Sequence, residues 1–258
     1  MNRNSNNRID VAKILGAAFA VVIRQLKPLL KTTLGPILII VIVRTLINAQ
    51  VFGQVAVLPT VLHLAEIPLS VLYLVPCHRI IYLGEGSVSA TAFQPWTKRE
   101  WRFLFLTVGA YMFVIAGTVF SVALTWLTMV ILGIDTNTWG IWAQVPVLII
   151  PTYVLARLSI ILPATAVEKK TSLLAAWRLS RKNGWRLVFT IIYFPAVIFY
   201  LPNWVLSKIN FLAAIPFDIL GYLLSLIGVA ALTLSYSELS NRGKLTGSNT
   251  RRKKGRRK

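Results

Sequence analysis

The chain has 258 residues, of which 56% are hydrophobic and 14% charged, with a mean hydropathy of +0.67 and 28 Lys/Arg against 8 Asp/Glu, a formal net charge of +20. So much apolar surface excludes an ordinary soluble domain and points to an all-α, polytopic membrane protein, in which the placement of cations is more informative than their sum. The single cysteine, Cys77, excludes an internal disulfide framework and a thiolate metal centre.

The first element in chain order is DVAKILGAAFAVVIRQLK, residues 10–27. Its apolar run is short and is followed at once by basic residues, so it reads as a retained segment and not a cleaved signal. At about 100° per residue, Lys13, Arg24, Lys27 and Lys31 project together, opposite Val11, Ile14, Leu15, Ala18, Val22 and Leu26. Asp10 is placed to cap this helix, and Pro28 is expected to break it before the membrane. A basic amphipathic helix beside a span lies in the headgroup plane, or else packs its apolar stripe on the bundle. Residues 1–31 therefore form a cytoplasmic N-terminal region.

Six stretches are long and apolar enough to cross a bilayer: about 34–51, 54–78, 104–131, 138–163, 187–207 and 211–237. Their connections sort into two kinds. NAQVFGQ, GIDTNT and the turn at Lys208 are short and carry almost no charge. The stretches HRIIYLGEGSVSATAFQPWTKREWR and EKKTSLLAAWRLSRKNGWR are long and basic, as are both termini. All basic connections alternate to one side, which the positive-inside rule makes cytoplasmic. A membrane bundle spanning 32–238, with both termini cytoplasmic, is the expected fold. Lys98-x-x-Trp101-Arg102 and Lys182-x-x-Trp185-Arg186 each open a span, and LYLVP at Pro76 and SIILP at Pro163 each close one. This spacing raises the expectation of three repeated two-helix units with interfacial helices; entry points of membrane helices also look alike without any repeat. A second surface helix is expected over 172–183, capped by Ser172 and stopped at Asn183-Gly184. Leu173, Leu174 and Trp177 would be its apolar side, with Arg178 and Lys182 turned away.

Ionisable residues within spans mark structural locks or functional paths, because they are costly in lipid. Arg44 and Glu66 fall near mid-depth on consecutive antiparallel spans and are expected to pair, with His63 one turn from the acid. Two readings follow for that pair: a structural lock, or a relay for protons or ions. Asp218 lies near the outer end of the sixth span. Arg157 lies toward the cytoplasmic end of the fourth, where its stem can snorkel to headgroups, with Glu66 or Glu168 as partners.

The run Tyr153-Val-Leu-Ala-Arg157-Leu-Ser, its continuation Leu162-Pro-Ala-Thr-Ala-Val-Glu168, and Ala176-Trp-Arg-Leu-Ser-Arg-Lys-Asn-Gly-Trp-Arg186 resemble a pattern in uncharacterised bacterial multi-pass inner-membrane proteins. Similar domains form the membrane portion of some glycerophosphodiester phosphodiesterases. The resemblance is specific over about 152–190 and implies a six-span bacterial membrane domain. It imports no esterase chemistry, which belongs to a separate soluble domain.

The tail, 239–258, reads as disordered and polybasic, ending in Arg251, Arg252, Lys253, Lys254, Arg256, Arg257 and Lys258. It either reinforces topology or adsorbs to anionic lipid. Lipid is the expected partner of these cations and of Lys13, Arg24, Lys27, Arg178, Lys182 and Arg186. A membrane-protein partner or a second copy is the other candidate. Nucleic acid or a ribosome is disfavoured, because no aromatics are interleaved to stack on bases. The sequence contains none of the nucleotide-binding, zinc-protease or serine-hydrolase motifs, so no enzyme, cofactor or metal is expected. Two functions remain. One is a non-enzymatic organising or accessory protein acting at the cytoplasmic leaflet. The other is a small transporter or channel with a polar midplane site around Arg44 and Glu66.

Overall fold

The computed structural model describes residues 8–48, 57–89, 91, 93–133, 149–169, 171–197 and 211–255. Among them there are helices and turns but no strand. Five helical segments are long and apolar enough to cross a membrane: Leu26–Ile47, Leu64–Leu83, Lys98–Leu132, Ile149–Ala166 and Asp218–Asn241. The expected span at 187–207 is described only in its first part, where Gly184–Tyr193 is an apolar helical stretch. The short connections around 49–56, 134–148 and 198–210 lie outside the described residues.

Helix α1, Val11–Arg24, begins as its composition requires: the Asp10 carboxylate accepts the Lys13 backbone N–H at 3.2 Å. Its stripe of Ile14, Ala18 and Val22 is buried, and the helix packs on the last helix of the chain. The packing alternative therefore holds for that stripe, while Lys13 and Arg24 stay exposed. Leu26, expected on the apolar face, is exposed instead.

The chain turns at Gln25 and not at Pro28. Helix α2, Leu26–Asn48, starts immediately and holds Pro28 in its first turn, where a missing N–H leaves no bond unmade. Helix α3, Val57–Leu83, runs back against α2 and accommodates Pro68 and Pro76. Gly84 follows at φ +94°, a conformation that glycine reaches without strain, and opens a short 3-10 turn, Glu85–Ser87.

Helix α4, Lys98–Leu132, is bounded by chemistry visible in the sequence. Thr97 and Glu100 form a reciprocal capping box, and Gly133 ends the helix at φ +64° with its N–H on the last carbonyls. Few of its side chains are buried, among them Phe103 against Val71, Val75 and Ala166. Its face is otherwise apolar and open, as a lipid-facing helix requires.

The segment Ile149–Ala166, α5, is interrupted by a turn at Ser159–Ile160 and finishes as a short helix, Ile161–Ala166. Glu168 then adopts φ +58° while its N–H bonds Thr165 O at 3.0 Å and the Lys169 N–H bonds Ala164 O at 2.9 Å. That is a Schellman ending with glutamate where glycine is usual. Helix α6, Leu173–Leu179, is capped by Ser172 as expected but stops at Ser180, short of Asn183. Leu173 and Leu174 are exposed, and Ala176 is the buried residue.

Helix α7, Gly184–Val188, runs on into a π-helical turn, Phe189–Tyr193. Helix α8, Phe211–Gly255, is 45 residues long, or about 68 Å at helical rise. Its bounds take in residues 239–255 of the tail. The side chains of 242–255, and residues 256–258, lie outside the described residues.

The core joins Leu29, Ile37 and Ile40 of α2, Cys77 and Ile80 of α3, Ala156 and Ala164 of α5, and Leu226, Ala230 and Ala231 of α8. The two KxxWR stretches are not equivalent: Lys98 starts α4, whereas Lys182 sits in the turn before α7. Trp101 and Trp185 are both exposed near the starts of their helices.

Candidate functional site: an intramembrane groove

Arg44 on α2 and Glu66 on α3 meet as expected. The guanidinium donates from Nε and Nη2 to Glu66 Oε2 at 3.0 and 2.9 Å. The carboxylate is the more enclosed partner, with 11% of its side chain exposed against 41% for Arg44. The Arg44 guanidinium also lies 5.4 Å from the centre of the Tyr222 ring on α8, and that ring meets Tyr73 edge-on at 6.3 Å.

Arg44 lies about 27 Å along α2 from Leu26, and Glu66 about 26 Å back along α3 from Leu83. Lys27 and Lys31, both exposed, are carried on the first turns of α2. The side chain of His63 lies outside the described residues.

Arg44 and Asp218 open onto a groove of about 530 Å³, whose walls come from α2, α3, α4, α5, the π turn after α7 with Pro195 and Ala196 beyond it, and α8. On α8 it is lined from Asp218 to Leu232, about 21 Å of helix. Polar groups crowd the Asp218 end, where Tyr222, Ser225, Ser70 and Tyr73 join Arg44. Leu155, Leu162, Val229 and Leu232 make the other end apolar. His78, another lining residue, bonds through Nδ1 to Thr233 Oγ1 at 2.7 Å. The Thr233 hydroxyl also lies 2.7 Å from the Val229 carbonyl.

The opposite end of the bundle is basic, and the long connections meet there. Arg79 at the end of α3 and Arg99 at the start of α4 both donate to Glu168 Oε1, at 3.3 and 3.2 Å. Arg99 also holds the buried Glu100. Lys169 reaches the Tyr82 hydroxyl and lies 4.2 Å from that ring's centre. Neither Arg79 nor Arg99 stood out from the sequence alone, although Thr97-x-x-Glu100 is a legible capping signal.

Arg157 does not snorkel. It is buried, its Nε donates to Ser180 Oγ at 3.1 Å, and Nη2 donates to the Trp177 carbonyl. Its guanidinium lies 3.4 Å from the centre of the Trp177 ring and 5.5 Å from that of Tyr153. Neither Glu66 nor Glu168 is its bonded partner here; the α6 segment folds back over the cation and supplies a carbonyl, a hydroxyl and an aromatic face. Arg186 is also engaged, donating to the Ile9 carbonyl, while Asn183 Oδ1 accepts the Ile9 N–H at 2.7 Å. Of the expected lipid-facing cations, Lys13, Arg24, Lys27, Arg178 and Lys182 are exposed. The side chains of Arg251, Arg252, Lys253 and Lys254 lie outside the described set, as do Arg256, Arg257 and Lys258. Among the described residues, no three His, Cys, Asp or Glu side chains are grouped to hold a metal ion.

No protein-family model, curated protein or solved structure matches the chain.

Proposed function

We propose that this is a non-enzymatic integral membrane protein of the bacterial inner membrane, with both termini cytoplasmic, that takes up a small molecule in the groove and conducts it into or across the bilayer. The observation that carries this reading is the groove itself. It places Arg44, Asp218, Tyr73 and Ser225 around a cavity of about 530 Å³ inside an apolar bundle, a volume within the usual ligand-site range. Ionisable side chains carried on apolar helices of spanning length are costly in lipid unless they lock the structure, serve a path or hold a bound molecule. Two of the surrounding helices depart from regular α geometry, α5 at the Ser159–Ile160 turn and α7 in the π turn that follows it, while α3 and α8 carry Pro68, Pro76 and Pro216 without a break. Broken helices around a polar cavity are the usual architecture of membrane transporters. The test is water access. Ser70→Cys and Ser225→Cys variants in proteoliposomes should react with membrane-impermeant thiol reagents, against a quiet background from buried Cys77. If neither introduced thiol reacts from either side, the groove is no aqueous path and the reading fails.

A second reading, an organising or accessory protein acting on anionic lipid or a membrane partner, is favoured by one observation. Helix α6 exposes Leu173 and Leu174 beside the exposed Arg178, the makings of an amphipathic surface. Enrichment of phosphatidylglycerol over phosphatidylcholine around the purified protein, lost on Arg178→Gln, would support it. The likeness of 152–190 to the membrane domains fused to phosphodiesterases fits either reading.

A further inference from the structure

We propose that the basic end of the bundle binds a phosphate monoester, in a seat that the Glu168 carboxylate fills in this structure. The site lies away from the groove and rests on neither reading above. Its donors are Arg79, four residues before the end of α3, and Arg99, the second residue of α4. Their Nη1 groups converge on one acceptor, Glu168 Oε1, at 3.3 and 3.2 Å. Both distances exceed the roughly 2.7–2.9 Å of a firm charge-assisted bond. The other carboxylate oxygen, Oε2, bonds nothing among the described residues.

The arginines are anchored where the carboxylate is loose. The Ser87 and Ala166 carbonyls accept from Arg79 at 3.0 and 3.2 Å, and Glu100 holds Arg99 at 2.7 and 2.6 Å. The two arginine side chains are 15% and 16% exposed, against 62% for Glu168. Ion pairs of so exposed a carboxylate contribute little, so an anion of higher charge displaces it.

The charge count favours such an anion. Arg79 and Arg99 are matched by Glu100 and Glu168, and the exposed Lys98 by the exposed Glu85. Arg102 and Lys169 are left over: Arg102 Nη2 donates to the Thr171 carbonyl at 3.4 Å, and Lys169 lies 4.2 and 5.6 Å from the Tyr82 and Tyr236 ring centres. The chain's other acids, Asp10, Glu66, Asp135, Asp218 and Glu238, belong to other segments. A phosphate monoester brings about 1.5–2 negative charges at neutral pH and three acceptor oxygens where Glu168 offers one. Leu83, Trp101 and Phe105 are exposed on the same helix ends, and Trp101 stacks on Phe105. An aromatic rim of this kind sits at headgroup level, so lipid is the source it favours, with a soluble ester as the other.

The experiment uses the full chain in a non-ionic detergent and measures bound lipid by native mass spectrometry. Phosphatidate should bind about tenfold more tightly than phosphatidylglycerol of the same acyl chains, whose phosphate is a diester of single charge. Arg79→Gln and Arg99→Gln should each weaken phosphatidate binding about tenfold. Glu168→Gln should tighten it several-fold, a gain that a merely structural glutamate does not give and a readout that survives if the arginine variants do not fold. Dialysis against labelled glycerol 3-phosphate separates the sources: saturable binding lost on Arg99→Gln extends the seat to soluble esters, and its absence beside bound phosphatidate restricts the seat to lipid. Equal binding of the two lipids, or phosphatidate binding untouched by all three substitutions, would overturn the proposal and mark a general attraction to the cationic chain. So would a failure of both phosphate esters to bind, or a loss of phosphatidate on Arg178→Gln alone, which would move the lipid to α6.

Discussion

Gly184 tests how tightly the Arg157 region is built. It is the first residue of α7, and a Cβ added there would overlap the end of the Tyr153 ring. The ring has little freedom to retreat. It meets Trp185 at 5.0 Å and Trp177 edge-on at 6.5 Å, with the Arg157 guanidinium 5.5 Å from its centre. Overpacking of this kind costs about 1–3 kcal/mol, offset by up to ~1 kcal/mol because alanine is the better helix former. Taken near the middle of both ranges, the net loss for Gly184→Ala is about 1–2 kcal/mol, a drop of roughly 2–8 °C in the unfolding midpoint at about 2–4 °C per kcal/mol. The assay is thermal unfolding in a mild detergent, on Gly184→Ala, Tyr153→Leu and the double variant. With the ring removed, the alanine should be neutral or slightly stabilising. An equal loss in both backgrounds would show that the Tyr153 ring is not what Gly184 makes room for.

Other expectations follow from the same geometry. Arg44→Gln should destabilise more than Glu66→Gln, because it strands the more enclosed carboxylate, and the double variant should recover part of the loss; a cost of up to about 3 kcal/mol is the upper range for so partly exposed a pair. Arg157→Lys should not substitute for arginine, since an ammonium cannot both stack on Trp177 and fork to Ser180 and the Trp177 carbonyl; altered Trp fluorescence and faster proteolysis within 170–183 would register the loss. Asn183→Ala leaves the Ile9 N–H without its bond, and a loss of about 1–3 kcal/mol should appear as earlier cleavage near Arg8 under limited proteolysis. Glu168→Gly should be neutral or stabilising by up to ~1 kcal/mol, because relief of the positive φ outweighs two contacts to a carboxylate that is 62% exposed; clear destabilisation in a melting experiment would contradict that balance.

Much of the scaffold is legible in local chemistry. Thr97 with Glu100, Gly133, Asp10 and Ser172 each mark a helix end through a hydrogen bond made within a few residues. The Arg44–Glu66 pair is readable because helical rise places residues on consecutive antiparallel spans at matching heights. What the sequence hides depends on partners without charge. Arg157 looks like a snorkelling anchor because the groups that satisfy it are a serine, a carbonyl and an indole face some twenty residues away. The Ser180 hydroxyl, at the end of α6, bonds both Arg157 and the Ala176 carbonyl, the latter at 2.9 Å. The groove is hidden for another reason: its wall is assembled from stretches far apart in sequence, with α8 and α3 giving most of it and α2 and α4 a single residue each.

The clamp on Ile9 has a consequence for biogenesis. Its backbone N–H and carbonyl are held by Asn183 and Arg186, about 174 residues downstream, and α1 packs on a helix that begins at Phe211. At synthesis rates of about 5–20 residues per second, those seats emerge from the ribosome roughly 9–35 s after the segment that fills them. The apolar stripe of α1 is therefore made well before the α8 surface that buries it, and closure depends on that stripe staying within reach until α8 arrives.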